Sequence, residues 1–131
     1  MNFLLLAHIA LMSIALVLII TAVMIAKRRK KNWLKLHRAC AISGVVSSLI
    51  AAACIVTLKF TNGFSHFQSP HAIAGLITLC LLLITPILGA SIAKGPKPIR
   101  AIHRLFGRIT SLAIILTVVM GVFRLLVLNK K

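Results

Sequence analysis

Four long apolar segments dominate this chain of 131 residues. Each exceeds the ~20 residues that an α-helix needs to cross the ~30 Å hydrocarbon core of a bilayer. Because backbone N–H and C=O groups find no water in lipid, each segment must satisfy them internally as a helix. The links are short, which makes sequential helices antiparallel. The sequence therefore predicts an all-α fold, an antiparallel four-helix transmembrane bundle forming one domain over residues 1–131, with helices at roughly 2–26, 36–58, 71–93 and 101–128.

The charged residues are of one sign only. The chain has sixteen Lys and Arg side chains and no Asp or Glu. Mechanisms that need a side-chain carboxylate are therefore excluded, among them glycoside hydrolysis, aspartic proteolysis and carboxylate proton relays. The basic residues interrupt apolar runs instead of covering a soluble surface, so nucleic acid is not an expected partner.

The distribution of these cations predicts the orientation in the membrane. Twelve of them fall in the segments 27–38 and 94–108, and four fall on the opposite side. Cytoplasmic loops carry the excess of Lys and Arg, so both termini are expected outside the cytoplasm, in a multi-pass protein of the cell's inner membrane. The basic cluster follows the first apolar run, so this run is expected to be an anchor and not a cleaved signal peptide. Membrane lipid is an expected partner, and the oligomeric state is left open.

Each predicted helix carries one histidine near its N-terminal end. Antiparallel helices place these histidines in two layers, His8 and His71 toward the outer side and His37 and His103 toward the inner side. One histidine near a helix end is typical of a polar residue at the membrane interface. Four of them in two layers indicate function, because intramembrane ionisable residues are costly. Two pairs of imidazoles from different helices are what axial ligation of two haem irons requires.

Glycines recur in register with two of these histidines. The third and fourth helices share the pattern H-x-x-x-G-x-I-T, which places the proximal glycines, Gly75 and Gly107, one turn after the histidine. The distal glycines, Gly89 and Gly121, follow the same two histidines at an equal interval. That interval is about five helical turns, so each distal glycine shares the azimuth of its histidine ~27 Å along the axis. All four glycines are candidate cofactor-binding positions that leave room for a planar macrocycle, and small-residue helix packing is the alternative.

Cysteine chemistry and the missing carboxylates limit how such a cofactor is held. No C-x-x-C-H motif is present, which excludes covalent attachment of a c-type haem, and Cys40, Cys54 and Cys80 are expected to be packing residues. Carboxylates usually orient metal-ligating imidazoles. Here backbone carbonyls, Ser or Thr hydroxyls, or water must take that role.

Three strings of the sequence resemble the cytochrome b561 family, especially its membrane domains that occur with DOMON modules. The strings are His8-I-A-Leu11-Met12, Ser69-Pro70-His71-Ala72-x-x-Gly75 and Ile102-His103-Arg104-x-x-Gly107-Arg108. The resemblance implies a transmembrane electron carrier with two non-covalent b haems. It also implies that His8 and His71 ligate one iron and that His37 and His103 ligate the other, which are the pairs expected from the two layers.

Two haems would bring four propionate anions, and several arginines are placed to meet them. Candidates at the inner side are Arg38, Arg104 and Arg108, and candidates at the outer side are Arg124 and Lys59. The alternative is that these cations set the topology and contact anionic lipid. His66, in the loop 59–70, either meets a donor, a quinone or a haem edge, or is a solvated loop residue.

Three functions compete at this level. The first is a di-haem b cytochrome, a transmembrane electron-transfer oxidoreductase that carries electrons between an outer and an inner redox partner. The second is a quinone-coupled oxidoreductase that oxidises quinol or superoxide at one membrane face. The third is a non-redox cationic accessory subunit. A quinone or a soluble redox protein is the partner implied by the first two.

Overall fold

The computed structural model describes residues 2–63, 69–92 and 97–128, and all of the regular structure in these ranges is helical. The four helices are α1 (Phe3–Arg28), α2 (Trp33–Thr61), α3 (Pro70–Ser91) and α4 (Lys97–Leu128). Each is long and apolar enough to cross a membrane. The all-α expectation with four spanning helices is confirmed, and the chain is an integral multi-pass membrane protein. His66 lies outside the described residues.

The helix ends follow from local capping. The side chain of Asn2 accepts a hydrogen bond from the backbone N–H of Leu4 at 2.9 Å and so caps α1. Ser69 caps α3 in the same way, accepting from the N–H of Ala72 at 3.3 Å, and Pro70 stands in the first turn, where its missing N–H costs nothing. At the other end of α1, Arg29 adopts the left-handed conformation and its N–H bonds to the carbonyl of Ile25.

The observed helix bounds differ somewhat from the expected ones. The second helix begins at Trp33 and extends to Thr61, because polar residues at the membrane interface continue a helix that the apolar run alone does not predict. The fourth begins at Lys97. Pro98 lies in the first turn of α4, where a helix accepts proline.

The chain divides into two compact units, Met1–Gln68 and Ser69–Lys131. The first is the α1–α2 hairpin. Its helices are antiparallel, since Ser47 donates a hydrogen bond to the carbonyl of Leu11 at 2.8 Å while residues nearer the start of α2 face the end of α1. The buried interface consists almost entirely of small residues, namely Ala15, Ala22, Gly44, Ser47, Ser48 and Ala51, with Ile19. Small residues let the two backbones approach closely.

The second unit is the α3–α4 hairpin, and its interface contains paired hydroxyls. Thr78 and Thr117 are joined by an Oγ1···Oγ1 hydrogen bond of 2.8 Å. Thr85 and Thr110 are joined by another of the same length. These two pairs show that α3 and α4 are antiparallel. Leu82 and Ile114, 1 % and 0 % exposed, complete the core of this hairpin.

Candidate functional site: histidines bonded to the neighbouring helix

In the α1–α2 hairpin, each histidine is hydrogen-bonded to the backbone of the other helix. Nδ1 of His8 donates to the carbonyl oxygen of Ala51 at 2.9 Å. Nδ1 of His37 donates to the carbonyl oxygen of Ala22, also at 2.9 Å. The two bonds are reciprocal, because each helix supplies one imidazole donor and one carbonyl acceptor.

The α3–α4 hairpin repeats this exchange. Nδ1 of His71 donates to the carbonyl oxygen of Thr117 at 3.1 Å, and Nδ1 of His103 donates to that of Thr85 at 3.0 Å. All four imidazoles are half-buried. In every helix the accepting carbonyl stands at the same interval after that helix's own histidine, about four helical turns. The same arrangement is therefore built four times.

The chemistry of the acceptor determines the state of the imidazole. A carbonyl oxygen can only accept, so Nδ1 must carry the hydrogen. In a neutral ring, Nε2 then holds the lone pair, and this is the atom that an imidazole offers to a metal. The sequence left backbone carbonyls, hydroxyls or water as the groups that could orient the imidazoles in place of a carboxylate. In the structure, backbone carbonyls orient all four histidines. The residues present thus fit haem, since each imidazole would offer Nε2 to an iron whose other ligands the porphyrin would supply.

The two histidines of one hairpin lie at opposite ends of it. His37 lies beside Ala22 of α1, which is about four turns beyond His8 and therefore ~21 Å along the axis. The same spacing separates His71 from Thr85, beside which His103 lies. Two histidines so far apart cannot ligate one iron. Within the described ranges no group of three or more His and Cys residues gathers to hold a bare metal ion.

The distal glycines, Gly89 and Gly121, face the imidazole of the neighbouring helix. A Cβ atom built on Gly89 would lie 3.0 Å from Cε1 of His103, and one built on Gly121 would lie 2.9 Å from Cε1 of His71. Gly89 keeps this position although Pro86 interrupts the hydrogen bonding of α3. Each distal glycine is thus at the level of the histidine on the neighbouring helix, the depth expected from the sequence, and the group that fills the space there is an imidazole.

The proximal glycines, Gly75 and Gly107, have open surroundings. A Cβ on Gly107 would meet no atom within 4 Å, and a Cβ on Gly75 would meet only Cγ2 of Thr117, at 3.9 Å. Neither glycine is therefore needed for packing within its hairpin, and space remains beside both.

The arginines proposed as anion partners lie within two turns of a histidine on their own helix or near a helix end. Arg38, Arg104 and Arg108 are exposed, the first next to His37 and the other two one turn apart on the helix of His103. The guanidinium of Arg124 donates to Oγ of Ser69, the residue that caps α3. Arg124 therefore lies at the helix end that carries His71.

An aromatic contact near His37 was not expected from the sequence. The ring of Trp33 lies 6.4 Å from the imidazole of His37, centroid to centroid, and the guanidinium carbon of Arg29 lies 5.6 Å from the Trp33 centroid. The spacing of one helical turn between Trp33 and His37 is the signal that could have indicated it. Cys40, Cys54 and Cys80 are free thiols.

Comparison with known proteins identifies the family of the chain. The family model described as eukaryotic cytochrome b561 matches residues 1–129. No match to the chain was found among the curated proteins or among the solved structures. The matched segment contains all four helices and all four carbonyl-bonded histidines. The chain therefore belongs to the cytochrome b561 family, whose members are b-type membrane cytochromes that act in electron transfer.

Proposed function

We propose that the chain is a di-haem b cytochrome that carries electrons across the membrane between an outer and an inner redox partner. His8 and His71 hold one haem, and His37 and His103 hold the other. When bound, each haem supplies a one-electron iron couple. The observation that carries the proposal is the fourfold bond from an imidazole Nδ1–H to a backbone carbonyl, which leaves the same nitrogen of each ring as the metal ligand.

The spacing within each hairpin supports this pairing. The two histidines of a hairpin are ~21 Å apart along the axis, so an iron with two axial histidines must draw them from different hairpins. In the proposed topology, α1 and α3 cross the membrane in the same direction. His8 and His71 then lie toward the outer side, and His37 and His103 lie toward the inner side. Two levels of haem are then an electron path between the two membrane faces.

The remaining residues of the proposed site each have a physical task. Gly75 and Gly107 leave the space for a side chain unfilled one turn from His71 and His103, and a flat macrocycle would lie against these bare stretches of helix. The arginines supply cations where haem propionates require charge-assisted partners, at the inner level from Arg38, Arg104 and Arg108 and at the outer level from Arg124. The Nδ1–H bonds fix the orientation of the imidazoles, and Nε2 of each ring would be the atom that holds the iron.

Haem stoichiometry in paired variants tests the proposal. Purified protein is expected to yield two non-covalent b haems per chain in a pyridine haemochrome assay. His8→Ala and His71→Ala should remove the same spectral component, and His37→Ala and His103→Ala the other. Conservative replacement of the exposed Cys80 by Ser, outside the proposed sites, is the control and should retain both haems. A fully loaded preparation with one haem, or removal of one component by both His8→Ala and His37→Ala, contradicts the proposal.

The orientation of the chain in the membrane and the passage of electrons across it are tested separately. Both termini are proposed to lie outside the cytoplasm, as the cation asymmetry predicts. A reporter that is active only outside the cytoplasm should therefore be active when fused after Lys131.

In sealed vesicles that enclose an electron acceptor, an impermeant reductant on the other side should reduce that acceptor only when both haem levels are intact. Reduction that survives the loss of one level would indicate chemistry at a single face.

A further inference from the structure

Each distal glycine of the α3–α4 hairpin follows, by one helical turn, the residue whose carbonyl accepts a hydrogen bond from a histidine. Gly89 stands one turn after Thr85, and Gly121 stands one turn after Thr117. In an α-helix the N–H of residue i+4 points at the carbonyl of residue i. The side chain at i+4 therefore lies next to the space that a second hydrogen-bond donor must occupy to reach that carbonyl. In this hairpin the second donor is the imidazole of the other helix.

We infer that Gly89 and Gly121 are positioning residues, which leave the space in which the imidazoles of His103 and His71 lie against the neighbouring backbone. This inference deepens the proposed function and rests on it for the identity of the bound group. Each glycine serves the histidine of the other helix and hence the haem level at which that histidine lies. Gly89 serves the level of His103, and Gly121 the level of His71.

The distances show why a methyl group would matter. A Cβ on Gly89 would lie 3.0 Å from Cε1, 3.4 Å from Nδ1 and 3.6 Å from Nε2 of His103. On Gly121 the corresponding distances to His71 are 2.9, 3.5 and 3.5 Å. Cε1 lies between the two ring nitrogens, so the methyl would press on the edge that carries both the hydrogen-bond donor and the ligating atom. The ring is held by its Nδ1–H bond and cannot yield as the end of a flexible chain does.

Two comparisons within the protein separate this role from ordinary helix packing. Gly75 and Gly107 lie on the same two helices, and a Cβ on either would contact no imidazole. In the α1–α2 hairpin the histidines make the same bond although Ala26 and Ile55 stand at the corresponding positions. The bond itself therefore does not require glycine. The requirement is specific to Gly89 and Gly121, where a Cβ atom would meet the edge of the ring of His103 or His71.

The test uses Gly89→Ala and Gly121→Ala in the haem-loaded protein. Measured quantities are haem content, the rate of haem loss to an apoprotein acceptor, and the midpoint potential and low-spin EPR signal of each haem. Gly89→Ala should alter only the haem held by His103, with haem retention ~10–100-fold weaker, the usual effect of disturbing a partner of a ligating histidine. Gly121→Ala should alter only the haem held by His71.

Matched controls separate positioning from loss of stability. Thr110→Val removes the hydroxyl bond to Thr85 and loosens the same interface, and Ala90→Val adds bulk at an exposed position beside Gly89. Both should leave the potentials and EPR signals of the two haems unchanged. If Gly89→Ala and Gly121→Ala leave both haems unchanged, or if Thr110→Val changes them equally, the inference is overturned while the proposed function stands.

A measurement on the unaltered protein tests the same inference when the variants do not fold. In the reduced, diamagnetic state, a nuclear Overhauser contact is expected between Hα of Gly89 and Hε1 of His103, and another between Gly121 and His71. The imidazole ¹⁵N shifts should report a hydrogen on Nδ1 in all four rings. Absence of both contacts overturns the inference. If the preparation contains no haem yet shows both contacts, the proposed function fails while the positions of the rings are upheld.

Discussion

The two hairpins make the same pair of histidine bonds on interfaces of different chemistry. The α1–α2 interface is built of Ala, Gly and Ser, whereas the α3–α4 interface is built of paired threonines around Leu82 and Ile114. In both, each imidazole reaches a carbonyl that lies about four turns after the histidine of the other helix. The bond therefore depends on helix register, which several kinds of interface can establish.

Among variants that distinguish the two interfaces, the largest change in stability is expected at Gly44 of the first hairpin. A Cβ there would lie 2.9 Å from Cδ1 of the buried Ile19 and 3.4 Å from Cβ of Leu18. Gly44→Val should overpack this interface and lower the free energy of unfolding by about 1–3 kcal/mol. The measurement is unfolding in mixed micelles. Ala53→Val, at an exposed position of the same helix, is the control and should change stability little.

Removal of a threonine hydroxyl is expected to have a smaller effect. Thr78→Val breaks the bond to Thr117 and should cost about 0.6 kcal/mol and at most about 1.7 kcal/mol, the range for hydrogen bonds between membrane helices. A double-mutant cycle with Thr117→Val isolates the pair. Ser47→Ala in the first hairpin removes a bond to the carbonyl of Leu11 and should cost a similar amount. A coupling energy of zero between Thr78 and Thr117 would mean that the hydroxyl pairs do not stabilise the second hairpin.

Exchange of glycine and alanine should change the free energy of unfolding differently in the two hairpins. Ala26→Gly should cost about 0.5–1 kcal/mol through backbone entropy alone and leave the haem signals unaltered. On propensity alone, Gly89→Ala should stabilise its helix by the same amount. Because its Cβ would meet His103, Gly89→Ala should not give this gain in thermal or denaturant unfolding. A full gain would show that the imidazole has room to move.

The smallest effect is expected in the turn between α1 and α2. Arg29 has φ 45° and Asn32 has φ 63°, both in the left-handed region. Arg29→Gly relieves about 1.5 kcal/mol of backbone strain and loses about 0.5 kcal/mol from the contact with Trp33 and about 0.7 kcal/mol through the backbone entropy of glycine, so the free energy of unfolding should rise by only about 0.3 kcal/mol. Asn32→Gly should gain less, since asparagine tolerates this conformation. If both variants gain equally, the strain at Arg29 is not greater than that at Asn32.

The helical spans could be read from the sequence because lipid leaves a long apolar segment no alternative to a helix. Their ends were less predictable. Trp33 begins α2 before the apolar run does, and Pro98 belongs to the first turn of α4. Capping and interfacial residues decide such ends, and they carry a weaker pattern than the apolar core.

The amino-acid sequence was sufficient to predict four membrane helices, a histidine near the start of each, and distal glycines in register with the histidine in two of them. The groups that those histidines and glycines contact became known only from the packing of the helices. Every residue has a backbone carbonyl, so no residue type marks Ala22, Ala51, Thr85 or Thr117 as an acceptor. Likewise, Gly89 faces the imidazole of His103 because of how two helices are registered, a relation that depends on packing between segments and not on either segment alone.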